Sequence, residues 1–151
     1  MKILALVSAS LVLAATPAAA QMDPSLRANY GSIGLSSGFT PDPYRLQLTA
    51  GGDVSVTDTK HGCRGYVSRA PDFELNYSAG SFPLVFRTLS SVDTTLIING
   101  PDGRWYCDDD GYGDGDAEVR FNRPMSGVYD VWVGTYNRGN YSSMLIITET
   151  P

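Results

Sequence analysis

The chain has 151 residues, of which 16 are acidic and 11 are basic, with a formal net charge of −5. This balance argues against a nucleic-acid partner, because phosphate backbones are bound by clustered Lys and Arg. After the leader described next, no run is apolar for the roughly 20 residues that a membrane span needs, so we expect no membrane span.

The first twenty residues have the pattern of a secretory leader. Residues 1–20 contain one early base, Lys2, an apolar core of about ten residues, and small residues at Ala18 and Ala20. An uncleaved anchor helix is the alternative, but the apolar run is shorter than a bilayer span of about 20 residues. We expect cleavage before Gln21 and a periplasmic or secreted, monomeric, single-domain protein.

The next segments change from irregular to alternating. Residues 21–43 are rich in Ser, Gly, Pro and Asn, which predicts an irregular N-terminal arm with one short strand. From Tyr44 onward apolar and polar residues alternate, and Gly51-Gly52 interrupts the alternation. The pattern predicts a hairpin that turns at these glycines, within a β-sandwich domain over residues 44–151.

Six further strand-like segments follow, separated by turns rich in Gly, Asn, Asp and Pro. They cover residues 83–89, 94–99, 104–107, 117–122, 127–136 and 142–149. Apolar residues nowhere recur at helical spacing for three turns, so the sequence predicts an all-β fold, an antiparallel β-sandwich. Because Tyr129 and Val131 lie on one face of their strand and Trp132 on the other, we expect both faces to be covered.

Cys63 and Cys107 are the only cysteines. In an exported domain an even pair predicts one disulfide, which would stabilise the fold by roughly 4 kcal/mol in the chain-entropy model. Two free buried thiols are the alternative. A zinc site is a weaker alternative, since only His61 could add a nitrogen ligand.

Acidic residues are concentrated in one loop. Seven of the sixteen lie in residues 102–118, with Arg104 as the only base there. Such a loop either spreads its charges into water or holds a hard cation, and calcium is the natural candidate. The predicted metal ligands are Asp108, Asp110, Asp114 and Asp116, with Asp93, Asp102 and Asp109 as additional candidates. The spacing is not that of an EF-hand, because Val119 occupies the twelfth position. The alternative is a solvated loop whose aspartates accept local backbone amides.

Four tyrosines flank the loops. Tyr106 and Tyr112 bracket the acidic loop, and Tyr136 and Tyr141 bracket the last turn. Tyrosine combines an apolar ring with a polar tip, so these four residues are predicted to bind a partner. The alternative is that they are half-buried residues of the sandwich.

Several segments together carry a family resemblance. They are Asp93-Thr94-Thr95-Leu96, Gly100-Pro101-Asp102-Gly103, Asp108-Asp109-Asp110 and residues 126–134. This set resembles the bacterial pre-peptidase C-terminal (PPC) domain. With Gly38-Phe39-Thr40-Pro41-Asp42-Pro43 and Cys63-Arg64-Gly65-Tyr66-Val67, it also resembles a group of small exported alphaproteobacterial proteins, over nearly all of residues 29–149. The resemblance implies a jelly-roll-like sandwich of about eight strands, linked with calcium or with adhesion.

The resemblance does not imply catalysis by this domain. The chain has one histidine, His61, and no Gly-x-Ser-x-Gly nucleophile setting, so we predict that it is not an enzyme. The expected function is an exported, calcium-stabilised binding module that holds a protein or glycan partner. The alternatives are a secreted hydrolase or peptidase-associated domain that uses the acidic loop as a metal site, and a purely structural envelope protein.

Overall fold

The structure, a computed structural model, describes residues 21–58 and 62–150. These residues form eleven β-strands and no helix. The strands are β1 (Ser32–Ser36), β2 (Tyr44–Gly51), β3 (Val54–Asp58), β4 (Cys63–Val67), β5 (Phe73–Ser78), β6 (Leu84–Ser90), β7 (Thr94–Asn99), β8 (Trp105–Asp108), β9 (Glu118–Phe121), β10 (Gly127–Thr135) and β11 (Asn140–Thr148). The predicted leader, residues 1–20, and His61 lie outside the described residues.

The strands form two sheets. In the seven-stranded sheet, one edge of β10 pairs first with β5 and then with β4, and its other edge pairs with β7. The outermost strands are β1, β3 and β8, which pair with β5, β4 and β7 respectively. The four-stranded sheet has the order β2-β11-β6-β9. The predicted all-β sandwich is confirmed. It has eleven strands rather than about eight, and β1 runs parallel to β5 although the other pairs are antiparallel.

The hairpin predicted at Gly51-Gly52 is wrong. Strand β2 pairs with β11 in the four-stranded sheet, whereas β3 pairs with β4 in the seven-stranded sheet. The turn therefore carries the chain from one sheet to the other. Gly51 has φ +107°, and a Cβ there would lie 1.9 Å from the carbonyl oxygen of Gly139. Only glycine can approach the Gly139 backbone this closely. Because glycine is also common in hairpin turns, its presence led to the wrong prediction.

The main core lies between the inner faces of the two sheets. Its aromatic centre is a group of edge-to-face and tilted rings from Phe86, Phe121 and Tyr129, whose centroids lie 5.1 to 6.0 Å apart. Aliphatic side chains from seven strands surround these rings; they include Leu48, Leu75, Leu84, Leu96, Ile98, Val119, Val131, Val133, Leu145 and Ile147. Each fully buried large side chain contributes about 1.5–3 kcal/mol relative to exposure.

A second, smaller core covers the outer face of the seven-stranded sheet. Trp132 is 0% exposed there and packs with Ile97 and with Val56 of the β3–β4 hairpin. The predicted burial of both faces of β10 is therefore confirmed. The Cys63–Cys107 disulfide, with a Cα–Cα distance of 5.1 Å, is also confirmed and joins β4 to β8 beside this core.

Asp72 completes the backbone bonding of β10. This strand pairs with β5 up to Val131 and with β4 at Thr135, which leaves the N–H of Val133 between the two partners. That N–H donates to Asp72 Oδ2 at 2.8 Å. Asp72 is 1% exposed, and this burial raises its pKa to about 6 against the opposing effect of the hydrogen bonds. A buried acid thus closes a gap in the sheet.

Candidate binding site at the loop end

Three loops meet at one end of the sandwich, here called the loop end. They are residues 91–93 between β6 and β7, residues 109–117 between β8 and β9, and residues 136–139 between β10 and β11. Backbone bonds join them: Tyr136 N donates to the carbonyl of Asp93 at 3.0 Å, and Thr94 N donates to that of Gly115 at 2.8 Å. The acidic loop is therefore fixed to its neighbours.

Two of the predicted metal ligands hold the acidic loop in shape. Asp108 Oδ2 accepts the backbone N–H of Gly111 at 2.6 Å and that of Glu118 at 2.8 Å. Asp116 is buried, and its Oδ1 accepts the N–H of Ser90 at 3.0 Å. Burial raises the Asp116 pKa, which shows that desolvation outweighs this bond. Both carboxylates are engaged by backbone donors.

The other predicted ligands are spread over the surface. Asp110 and Asp114 are exposed, and Asp109 pairs with Arg64 at 3.3 Å. Asp102 lies at the opposite end of the sandwich, where its carboxylate accepts the Tyr106 hydroxyl at 2.7 Å. This bond is the main cause that lowers the Asp102 pKa. The structure therefore separates Asp102 from the acidic loop.

Asp93 differs from the other acids of the loop end. Its Oδ1 is buried and has no hydrogen-bond partner among the residues the structure describes. Burial, followed by the nearby charges of Asp110 and Asp109, raises the Asp93 pKa. Gly115, with φ +80°, lets the loop approach closely, since a Cβ there would lie 3.2 Å from Asp93 Cα. The result is an acceptor oxygen without a donor, next to two further carboxylates.

A metal site built from acidic side chains alone is not formed here. Within residues 21–58 and 62–150, no three His, Cys, Asp or Glu side chains converge closely enough to hold a metal ion. An ion beside Asp93 would therefore need backbone carbonyls among its ligands, as calcium sites commonly use. The carbonyls of Gly113 and Gly115 in this loop already accept the N–H groups of Asp116 and Thr94, so such an ion would share them with the backbone.

Three of the predicted tyrosines are exposed at the loop end. Tyr112 is 45% exposed, Tyr136 is 39% exposed and Tyr141 is 44% exposed. Arg87 lies over the ring of Tyr112, 4.6 Å from its centroid, and Arg64 lies 5.8 Å from that of Tyr136. These cation–π contacts position two of the rings while leaving much of their area open.

The fourth tyrosine, Tyr106, lies elsewhere. Its ring packs edge-on against Phe121 with centroids 4.8 Å apart, and its hydroxyl is bonded to Asp102. The predicted group of four tyrosines is therefore not brought together. Tyr106 occupies the half-buried position that was the alternative for all four.

Sequence reasoning did not single out Arg64 and Arg87, which hold the loop-end tyrosines. Arg64 follows Cys63, whose disulfide brings it beside the acidic loop and Asp109. The predicted disulfide therefore could have indicated that Arg64 lies beside the acidic loop. Arg87 gave no such signal, because its contact with Tyr112 depends on the pairing of β6 with β9.

Comparison with known proteins assigns no family: no protein-family model matches the chain, and no curated protein matches its sequence. In the part of the chain that the structure covers, no helix is long and apolar enough to cross a membrane.

Proposed function

We propose that this protein is an exported, non-catalytic binding module that holds a protein or glycan partner at the loop end. One observation carries the proposal: Tyr112, Tyr136 and Tyr141 are each exposed at the end where three loops meet. Tyrosine offers a large, fairly rigid contact area with a polar tip, which suits both sugar rings and protein surfaces. Binding residues are also concentrated on loops that a rigid scaffold positions.

Export of the protein is supported by the disulfide and by the leader pattern of residues 1–20. Disulfides persist in oxidising compartments such as the periplasm and the extracellular space. We therefore place the partner among the proteins or glycans of the envelope or its surroundings.

Calcium is the proposed cofactor of this surface. Among the described residues the buried Asp93 oxygen finds no donor, and burial together with the charges of Asp110 and Asp109 raises the Asp93 pKa. A cation would supply the missing partner and relieve the repulsion. Extracellular calcium modules work at dissociation constants of about 0.1–1 mM, so a site with few rigid ligands suffices outside the cell.

Partner binding is tested by two matched variants. In the first, Tyr112, Tyr136 and Tyr141 are changed to Ala. In the second, the exposed apolar residues of the opposite end, Phe82, Met125 and Val128, are changed to Ala. The mature protein and both variants are used as bait for envelope extract and for a glycan panel. Loss of capture in the first variant alone supports the proposal. Capture that survives in the first variant, or is lost only in the second, overturns it.

Calcium binding is tested by thermal and urea unfolding with and without chelator. For a dissociation constant of about 1 mM, 10 mM calcium should add about 1.4 kcal/mol to the free energy of unfolding. Asp93→Asn should lose this increment, while Asp102→Asn, at the opposite end of the sandwich, should keep it. An increment that is equal in both variants, or absent in the wild type, would reduce the loop to a solvated turn.

A further inference from the structure

The outer face of the four-stranded sheet differs from that of the seven-stranded sheet, because its centre remains exposed. Alternation places one set of side chains, such as Leu48, Phe86 and Leu145, in the main core and the set between them outward. The outward side chains at the centre of this face are Arg45, Gln47, Arg87, Leu89, Met144 and Ile146. Arg45, Gln47 and Leu89 are exposed, and the others are half-buried. This face is therefore open to solvent.

Three neighbouring apolar side chains form a stripe on this face. Strand register places Leu89 directly beside Met144, and Ile146 follows Met144 at the next outward position of β11. Leu89 is 51% exposed, the largest value for a large apolar strand residue in the part of the chain that the structure describes. Single exposed apolar residues are ordinary, but contiguous ones rimmed by polar residues are typical of an interaction surface.

The charged groups around the stripe make this face positive. Register places Arg45 and Arg87 on either side of Ile146, and β9 adds Glu118 and Arg120. Three arginines against one glutamate give the face a charge of +2, whereas the whole chain has −5. Arg87 and Arg120 both pair with Glu118, at 2.6 and 3.3 Å. Arg45 is exposed and has no ion-pair partner among the residues that the structure describes. A carboxylate of a partner would therefore meet an unpaired guanidinium beside the stripe.

Charge decides between three possible occupants of this face. A second copy packed through the same face would bring two sets of arginines together, which is repulsive. An anionic membrane laid against the face would also meet the exposed carboxylates of Asp110 and Asp114, because the same loop places Tyr112 against Arg87. A protein segment that combines apolar with acidic side chains would match both the stripe and the arginines.

We propose that the outer face of the four-stranded sheet binds a segment of a partner protein in which apolar side chains are flanked by Asp or Glu. The apolar side chains of the segment cover Leu89, Met144 and Ile146, and one of its carboxylates pairs with Arg45. Arginine binds carboxylates with two parallel hydrogen bonds, and both Arg and Met are enriched at protein interfaces. This surface is separate from the loop end and does not depend on the function proposed there.

The test is selection from a displayed random-peptide library on the immobilised mature protein. The enriched peptides should combine apolar residues with Asp or Glu, and a synthetic copy of one of them should bind the protein in fluorescence anisotropy. Leu89→Asn and Arg45→Gln should each weaken this binding by about tenfold or more. Raising the salt from about 0.1 M to about 1 M should also weaken it, since the screening length falls from about 10 to about 3 Å.

Two matched variants control for the loss of an exposed apolar or basic side chain elsewhere. Phe82→Asn changes a residue that is 52% exposed in the loop before β6, and Arg123→Gln changes an exposed arginine in the turn after β9. Both should keep the affinity for the peptide. All four variants leave the loop-end tyrosines unchanged, so failure of this proposal is distinguishable from failure of the loop-end function. Far-UV circular dichroism and melting check that each variant is folded.

Three results of the selection would overturn the proposal. They are enrichment of no peptide or of basic peptides, binding that survives both face variants, and equal weakening in the face variants and the controls. Without acidic-apolar peptides, binding to phosphatidylglycerol vesicles that is lost in Arg45→Gln would assign the face to a membrane instead. A dimer in sedimentation that Leu89→Asn dissociates would assign it to a second copy.

Discussion

The two faces of the seven-stranded sheet are both buried, but in different ways. The inner face meets a whole second sheet and buries side chains from seven strands. The outer face is covered over part of its area by the β3–β4 hairpin, around Trp132, with a disulfide at its margin. We infer from this difference that the inner core sets the global stability, while the outer core and its disulfide hold the loop end in place.

The link between the outer core and the loop end is short in sequence. Cys107 lies two residues before the 109–117 loop, and Cys63 precedes Arg64, which contacts both Asp109 and Tyr136. The contact with Tyr136 and, second, the charge of Asp109 raise the pKa of the Arg64 guanidinium, so the cation is stabilised in this position. The disulfide thus fixes two parts of the candidate binding surface at once.

The largest effect is expected on the inner face. Phe86→Ala should lower the free energy of unfolding by about 3–5 kcal/mol, because it removes a fully buried ring from the aromatic centre of the main core. Val56→Ala in the outer core should cost only about 1–2 kcal/mol, since two methyl-sized groups are lost. Urea unfolding of both variants gives the comparison. Equal losses would contradict the difference in role between the two cores.

The disulfide should have the next largest effect. Replacing Cys63 and Cys107 together by Ala should cost about 2–4 kcal/mol, because the bond closes a loop with a sequence separation of 44. Urea unfolding of the oxidised protein and the double variant measures the loss. A single Cys63→Ala variant controls for packing. No loss in the double variant would show that the bond contributes nothing beyond its neighbours' packing.

The smallest expected effect is a gain in the free energy of unfolding, caused by replacing Asp130. The Asp130 pKa is raised from 3.8 to about 6 in the folded protein, so its contribution to stability is present below pH 4 and is lost as the pH rises through 6. With chelator present, Asp130→Asn should match the wild type at pH 4 and exceed it by about 1–2 kcal/mol at pH 7. The full shift corresponds to about 3 kcal/mol, and relaxation and screening reduce it.

Asp72 is the matched control for this pH dependence. Its pKa is also raised to about 6, but its carboxylate accepts the N–H of Val133 as well as side-chain donors. Asp72→Asn should therefore gain less at neutral pH than Asp130→Asn, since bonds to a charged acceptor are weakened. Equal gains in the two variants would show that the missing donors at Asp130 have no energetic consequence.

The sequence predicted the features that depend on local patterns. Alternation placed the later strands close to their observed bounds, and Trp132 opposite Tyr129 and Val131 predicted a strand covered on both faces. The cysteine pair predicted the disulfide. The strands were predictable because alternation is visible within a single segment. The disulfide was predictable because a pair of cysteines in an exported protein usually forms one.

Features that depend on register between distant strands were not predictable. The Gly51-Gly52 turn has the chemistry of a hairpin but connects two sheets. Glu74 and Asp130 are 56 positions apart, and only the pairing of β5 with β10 makes them neighbours. Asp93 was only an additional candidate, because its lack of a donor depends on how three loops pack.

Native-state hydrogen exchange tests the division between the two cores most directly. The probes are the loop-end amides of Tyr112, Asp116 and Tyr136, compared with those of Val131 and Val133 in β10. Removing the disulfide should speed exchange at the loop-end amides by about tenfold or more, whereas Phe86→Ala should speed only the amides in β10, which exchange through global unfolding. Loop-end amides that respond equally to both changes, or only to Phe86→Ala, would contradict the account.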